Sequence, residues 1–276
     1  MQLTVISQNI SDGPDPERWP PLAARLLAED PHVLLLQETG GRSRMEELVE
    51  HLPGWAAYLA PHDRPAGTAA GNVVAFDPNV FELLHLDESL STSTLYGFAV
   101  VTVRAHGVDV PLSFCSVHFD PNSALAAGIE AQRVATRLYS GGGAGLLGGD
   151  VGHLPADPHW DDEPTWASLP HHRRGSWAAA GTRYDGDRTV AWRLEDKGLT
   201  DVVAHLARLR NDPALCRPTA VGGVRVDQMW ATPAMAAAVV AYERLNSRVR
   251  KHSDHDGLKV TVDTDGLDRR QLREFV

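Results

Sequence analysis

Residues 32–38, HVLLLQE, form an unbroken apolar run that starts after Pro31 and stops at a glutamine and a glutamate. A run of this kind does not alternate between core and water, so it reads as a central strand covered on both faces. Such a strand needs a packed layer above and below it. The flanking segments supply candidates. LTVISQNI (3–10) reads as an opening strand, and RWPPLAARLLAED (18–30) as a helix with Pro20 and Pro21 in its first turn. GNVVAF, FELLHL, GFAVVTVRA and VDVPLSFCSVHF follow as strands, with AHGVD as a hairpin turn between the last two. SALAAGIEAQRVATRLY (123–139) has helical spacing and Ser123 in the N-cap position. The strand GLLGGD, a helix over GLTDVVAHLARLR and the closing strands VRVDQMWAT, AVVAYERL and LKVTV complete the pattern. Strands and helices spread over the whole chain without a linker predict one domain, residues 1–276, of two packed sheets with outer helices. An irregular segment at about 154–196 is expected as a long loop insertion.

The chain has 276 residues, of which 43% are hydrophobic and 22% charged, the composition of a globular protein with a sizeable core. No apolar run approaches the roughly 18–20 residues of a membrane span. The start, MQLTVISQNI, does not read as a secretory signal, so a cytoplasmic location is expected. Two cysteines, Cys115 and Cys216, are too few for a disulfide framework or a thiolate metal site. The net charge of −10 argues against non-specific duplex binding, which depends on neutralising phosphates with Lys and Arg. A polyanionic substrate would need a local basic patch or a bound metal.

Gly143, Gly145 and Gly148 match the spacing of a dinucleotide-binding fingerprint, but they follow a helix and lead into a strand. That motif needs the reverse order, so that phosphate meets a helix N-terminus, and the fingerprint is rejected. More telling are the polar residues where apolar strands stop: Asn9, Glu38, His118, Asp150, Asp227 and the pair Asp254–His255. Any one of these is most simply a solvated turn. A set at successive strand ends would converge if the strands ended on one edge, and oxygen-rich clusters suit a hard divalent ion such as Mg²⁺.

SQNI, LLLQE, SVHF, GGDVG, VRVDQMW and SDHDGL stand in the order of motifs of the endonuclease/exonuclease/phosphatase superfamily, which the sequence resembles from residue 5 to 258. The resemblance implies a four-layer α/β/β/α sandwich, two central mixed sheets flanked by helices. It implies a metal-dependent phosphoesterase with Mg²⁺, or Mn²⁺ as a substitute. Glu38 would be the principal metal ligand, helped by Asn9 and Asp254. His255, oriented by Asp227, would touch the scissile phosphate; His118 would be a second phosphate contact, and Asp150 would orient or deprotonate water. Two positions depart from the pattern. Family members usually carry Asn two residues after the Asp of GGDVG, where this chain has Gly152, and a lost amide donor there would cost about 3 kcal/mol of transition-state stabilisation. His153 is the candidate to replace it. Ser11 stands where some members have a further metal-facing carboxylate; Asp12 would face elsewhere if the strand persisted.

For substrate contacts the sequence offers Trp160, Trp166, Trp177, Trp192 and Tyr184, with Arg173 and Arg174 in HHRRGSW, and the cluster Arg248, Arg250 and Lys251. Aromatic faces beside Arg could stack a base or sugar and grip phosphate; the competing reading is a satellite core pinning the loop. His252, Asp254 and His255 also suggest zinc, but no second cluster with zinc spacing accompanies them. The expected reaction is phosphodiester hydrolysis in nucleic acid or a nucleotide-like molecule. The alternatives are a phosphomonoesterase acting on a small metabolite or lipid headgroup, and a binding protein without turnover, suggested by Gly152.

Overall fold

β1 (Gln2–Asn9) and β2 (Val33–Gln37) lie parallel, joined by the crossover helix α1 (Trp19–Leu27). In this computed structural model, residues 1–65, 68, 70–156, 187–220, 223–248 and 250–272 are described. β3 (Ala56–Leu59) and β4 (Asn72–Phe76) extend the sheet on one side of the parallel pair. On the other side lie β11 (Val239–Leu245) and β12 (Gly257–Asp263), from the far end of the chain. The six-stranded order is β11-β12-β1-β2-β4-β3.

The second sheet repeats the plan. β5 (Phe81–Asp87) and β6 (Val100–Ala105) lead antiparallel into β7 (Leu112–His118), and β8 (Gly145–Asp150) runs parallel to β7. β9 (Thr200–Asp201) and β10 (Asp227–Ala231) close the order β5-β6-β7-β8-β10-β9. The β7–β8 crossover contains α3 (Ala124–Ser140), whose N-cap Ser123 accepts from the Ala126 N–H. Each sheet therefore carries one parallel pair bridged by a helix and flanked by antiparallel strands.

Alternation along the strands builds the layers. Leu3, Val5, Val33, Leu35 and Val74 of the first sheet meet Val101, Val103, Phe114, Leu146 and Met229 of the second in one buried core. The opposite faces are covered too. Ile6, Leu34 and Leu36 pack under Trp19, Leu22 and Leu26 of α1 and under Leu48 of α2 (Met45–Glu50). Val117, Leu147 and Trp230 pack under α3 and under α4 (Thr189–Asp196). The doubly covered strand expected from HVLLLQE is this central strand β2, buried at every residue.

The short elements α2, β3, β9 and Pro233–Ala236 were not expected from periodicity; the helix expected over GLTDVVAHLARLR begins at Val202, after strand β9. α4 lies inside the segment expected to be loop: Val190, Ala191 and Leu194 are spaced for one helical face and pack beside α3. Among the described residues no helix is long and apolar enough to cross a membrane. Cys115 and Cys216 are both buried.

Candidate active site

The C-terminal ends of both parallel pairs meet at one edge of the two sheets. In β1–β2, Asn9 pairs with Gln37, and Glu38 comes next; in β7–β8, His118 pairs with Asp150. Asp227 opens β10 directly opposite Asp150. His255 sits just before β12, held by a β-bridge to Ala220. Beneath this edge the buried Gln37 ties the sheets together, its Nε2 donating to Ser116 Oγ at 2.8 Å. The residues surround a cleft of about 260 Å³ lined by Glu38, Tyr96, His118, Asp150, Asp254 and His255 among others. Clefts at the carboxyl ends of parallel strands are the usual ligand sites of open α/β sheets.

The polar groups interlock. Asn9 Nδ2 donates to Glu38 Oε1 (2.9 Å) and to Asp150 Oδ2 (3.2 Å), and the Asp12 N–H donates to Glu38 Oε2 (3.0 Å). Asp150 Oδ1 accepts the Gly152 N–H at 2.9 Å. His118 Nε2 and His255 Nε2 each lie 3.6 Å from Asp150 Oδ2, and His118 Nδ1 lies 3.8 Å from Glu38 Oε1. His255 Nδ1 donates to Asp227, whose two oxygens lie 2.9 and 3.0 Å away. One ligand atom each of Glu38, His118 and Asp150 lie within 4.8 Å of one another, as do those of Asp150, Asp227 and His255.

Charge follows from these contacts. Burial works against the His255 imidazolium, but Asp227, Asp150 and Asp254 outweigh it and raise its pKa to about 10. Burial likewise opposes ionisation of Asp150, yet His255, His118, the Gly152 N–H and Asn9 hold its carboxyl below the ordinary value. At neutral pH the cleft therefore presents an imidazolium beside an ionised carboxylate. That pairing can stabilise charge growing on phosphoryl oxygens while orienting a water.

Glu38, His118, Asp150, Asp227, Asp254 and His255 are brought together as the sequence suggested. Asn9 is present with a different orientation: its Oδ1 accepts the Ser11 N–H at 2.9 Å, so its amide N–H groups, not its oxygen, face the carboxylates. β1 ends at Asn9, and Ser11 and Asp12 have φ of 55° and 61°, so the chain turns here instead of extending. The turn brings Ser11 Oγ onto Asp254 and aims the Asp12 N–H at Glu38. His153 does not reach the cleft. It is fully buried, its Nε2–H donates to the Asp120 carbonyl at 2.8 Å, and burial lowers its pKa. It cannot supply the amide missing at Gly152. Arg248 is engaged by Asp256 (3.1 Å), and exposed Arg250 does not line the cleft. Trp192 is 53% exposed on α4, not part of a satellite core. Arg173, Arg174, Trp177, Trp160, Trp166 and Tyr184 lie outside the described residues.

Two contributors were not read from the sequence. Tyr96 stacks on His118 with ring centroids 4.1 Å apart and planes 15° apart, and Arg64 Cζ lies over the same phenol ring, 5.8 Å from its centroid. Ser253 Oγ donates to the Asn9 carbonyl (2.7 Å) and accepts the His255 N–H (3.0 Å), linking the first strand to the last motif. The serine of SDHDGL was a visible signal for the second; Tyr96, in a polar loop, carried none.

No family model and no curated protein sequence matches the chain. Solved structures do. The endonuclease domain of TRAS1, a telomere-specific non-LTR retrotransposon, is 16% identical with a TM-score of 0.65, over 96% of this chain and 99% of that one. An endonuclease/exonuclease/phosphatase protein from Bacteroides vulgatus is 12% identical with a TM-score of 0.64, over 95% and 99%. The 3′ phosphatase NExo from Neisseria, bound to a product DNA hairpin, is 16% identical with a TM-score of 0.62, over 95% and 99%. The chain thus has the endonuclease/exonuclease/phosphatase fold along nearly its whole length.

Proposed function

We propose that this protein is a Mg²⁺-dependent phosphoesterase that hydrolyses a phosphodiester, in nucleic acid or a nucleotide-like small molecule. The observation that carries the reading is the meeting of Glu38, His118, Asp150 and His255, from widely separated parts of the chain, around one small cleft. The fold it shares with proteins named as an endonuclease and a 3′ phosphatase supports the same reaction class.

The donor set fits a hard divalent cation: Glu38 and Asp150 place carboxylate oxygens close together, and Asp254 lines the same cleft. Glu38, with Asp254, would hold the ion, which would neutralise charge on the phosphoryl oxygens. Asn9, through Nδ2, would set the two carboxylates around the ion. His255 keeps a proton on Nε2 for the phosphoryl or leaving oxygen, with Nδ1 fixed by Asp227. Asp150, ionised and anchored by Asn9 and Gly152, accepts a hydrogen bond from the attacking water and takes its proton as the P–O bond forms. Arg173, Arg174, Trp177 and Arg250 remain the proposed substrate-binding residues.

The test is turnover of bis(p-nitrophenyl) phosphate with Mg²⁺ or Mn²⁺. Adding EDTA should lower the rate by about a hundredfold or more, and restoring the metal should recover it. Turnover that is indifferent to chelation, or absent across diester and monoester substrates, would sink the proposal. A monoesterase is the second reading, favoured by the cleft's small volume, and p-nitrophenyl phosphate distinguishes it.

Gly152 supplies a further test. Its φ is +67°, a conformation that Asn tolerates better than most residues, and a Cβ there would meet Pro121 at 3.4 Å and Asp150 Oδ1 at 3.9 Å, both ordinary contact distances. Gly152→Asn should therefore fold and add an amide at the cleft, raising kcat by about tenfold or more. An unchanged or lower kcat in a folded variant would show that this site does not use such a donor.

A further inference from the structure

We infer that Glu130, a buried carboxylate on α3 remote from the reacting atoms, is a positioning residue that sets the Tyr96–His118 stack. The inference rests on the proposed role of His118 only for its kinetic consequence. Glu130 is 5% exposed, and each of its oxygens accepts a backbone N–H from a different loop at the cleft: Oε1 from Leu95 at 2.6 Å and Oε2 from Asp120 at 2.8 Å. Leu95 immediately precedes Tyr96. Asp120 lies two residues after His118 and immediately before Pro121, which also lines the cleft. One side chain thereby fixes the spacing between the loop that carries the phenol and the strand end that carries the imidazole.

The surroundings pin the same two loops from their other sides. The Asp120 carbonyl accepts from His153, so both backbone groups of that residue are held. Beyond Tyr96, Asn72 Nδ2 donates to the Gly97 carbonyl at 2.7 Å. Gly97 has φ +74°, and a Cβ would meet the Pro61 carbonyl oxygen at 2.4 Å, so the chain passes here only as glycine. The phenol is thus delivered against His118 by backbone contacts, and Glu130 is a side chain common to both partners. Burial raises the Glu130 pKa, and its two bonds to N–H donors oppose that shift only in part. A carboxylate used only to anchor α3 would need one loop, not two.

Glu130→Gln is close to isosteric but sets an amide NH₂ against one of the two N–H donors, so one loop must let go. Two readouts follow. In the wild type, the His118 ring protons should be shifted upfield by the phenol 4.1 Å away, and Glu130→Gln should move them back downfield, as Tyr96→Leu does; His118→Gln assigns the signals. In turnover, Glu130→Gln and Tyr96→Leu should each lower kcat by about tenfold with KM little changed. The double variant should be no slower than the slower single one, because both act through one contact. His118 resonances unmoved in folded Glu130→Gln, or kcat losses that multiply in the double variant, would overturn the inference. Should Glu130→Gln not fold, Glu130→Asp decides: its shorter side chain cannot hold both N–H donors in place, and unmoved His118 signals there overturn the inference. The spectrum needs no turnover, so a protein that hydrolyses nothing removes the proposed function without touching this result.

Discussion

His255→Ala should lower kcat for a phosphodiester by roughly 10²–10³-fold, with a smaller change in KM, because in the proposed mechanism its charge acts on oxygens that become more negative in the transition state. The residue is placed for this. Its Nδ1 is bound to Asp227 and its Nε2 points at the cleft, 3.6 Å from Asp150. Asp227→Asn tests the cause of the charge. With Asp227, Asp150 and Asp254 around it, the imidazolium persists to about pH 10. In the proposed mechanism the protonated form acts, so activity should be present below that pH and lost above it. Losing the Asp227 charge lowers the His255 pKa, so the alkaline limb of the kcat profile should move to lower pH. An alkaline limb in Asp227→Asn coincident with the wild type would mean that another group sets it.

Asp150→Asn should be as damaging, lowering kcat by about 10²–10⁴-fold, the span expected for a general base. Asp150 accepts from Gly152 through one oxygen and from Asn9 through the other. The amide can keep only the first contact: its NH₂ meets the Asn9 NH₂ and cannot accept a proton from water. The loss should appear in kcat at every pH, since no titration restores a base, and melting temperature should change little by comparison. A folded Asp150→Asn with near-normal kcat would remove Asp150 from the proposed mechanism.

The fold was legible where strands are long and covered on both faces. HVLLLQE announced the central strand β2, and the Ser123 cap marked the start of α3. The shared plan of the two sheets was not legible, because it lies in strand order and not in any repeated spacing of residues. The site was legible at strand ends, where a side chain's position follows from the strand itself: Asp150 and His118 pair directly. It failed where the chain turns. The left-handed conformations of Ser11 and Asp12 decide what Asn9's oxygen does, and no local pattern foretold them. Partner choice was equally hidden. His153 looked available beside Gly152, yet the Asp120 carbonyl takes its ring, and Asp256 takes Arg248. Tyr96 stacks on His118 from a loop that Glu130, on a distant helix, holds at the Leu95 N–H.

A crystal soaked with Mn²⁺ and a non-hydrolysable phosphodiester interrogates the whole arrangement at once. The account predicts an anomalous manganese peak within coordination distance of Glu38, with the phosphate between His118 and His255 and facing Asp150. Manganese bound away from Glu38, or a phosphate seated anywhere other than this cleft, would contradict it.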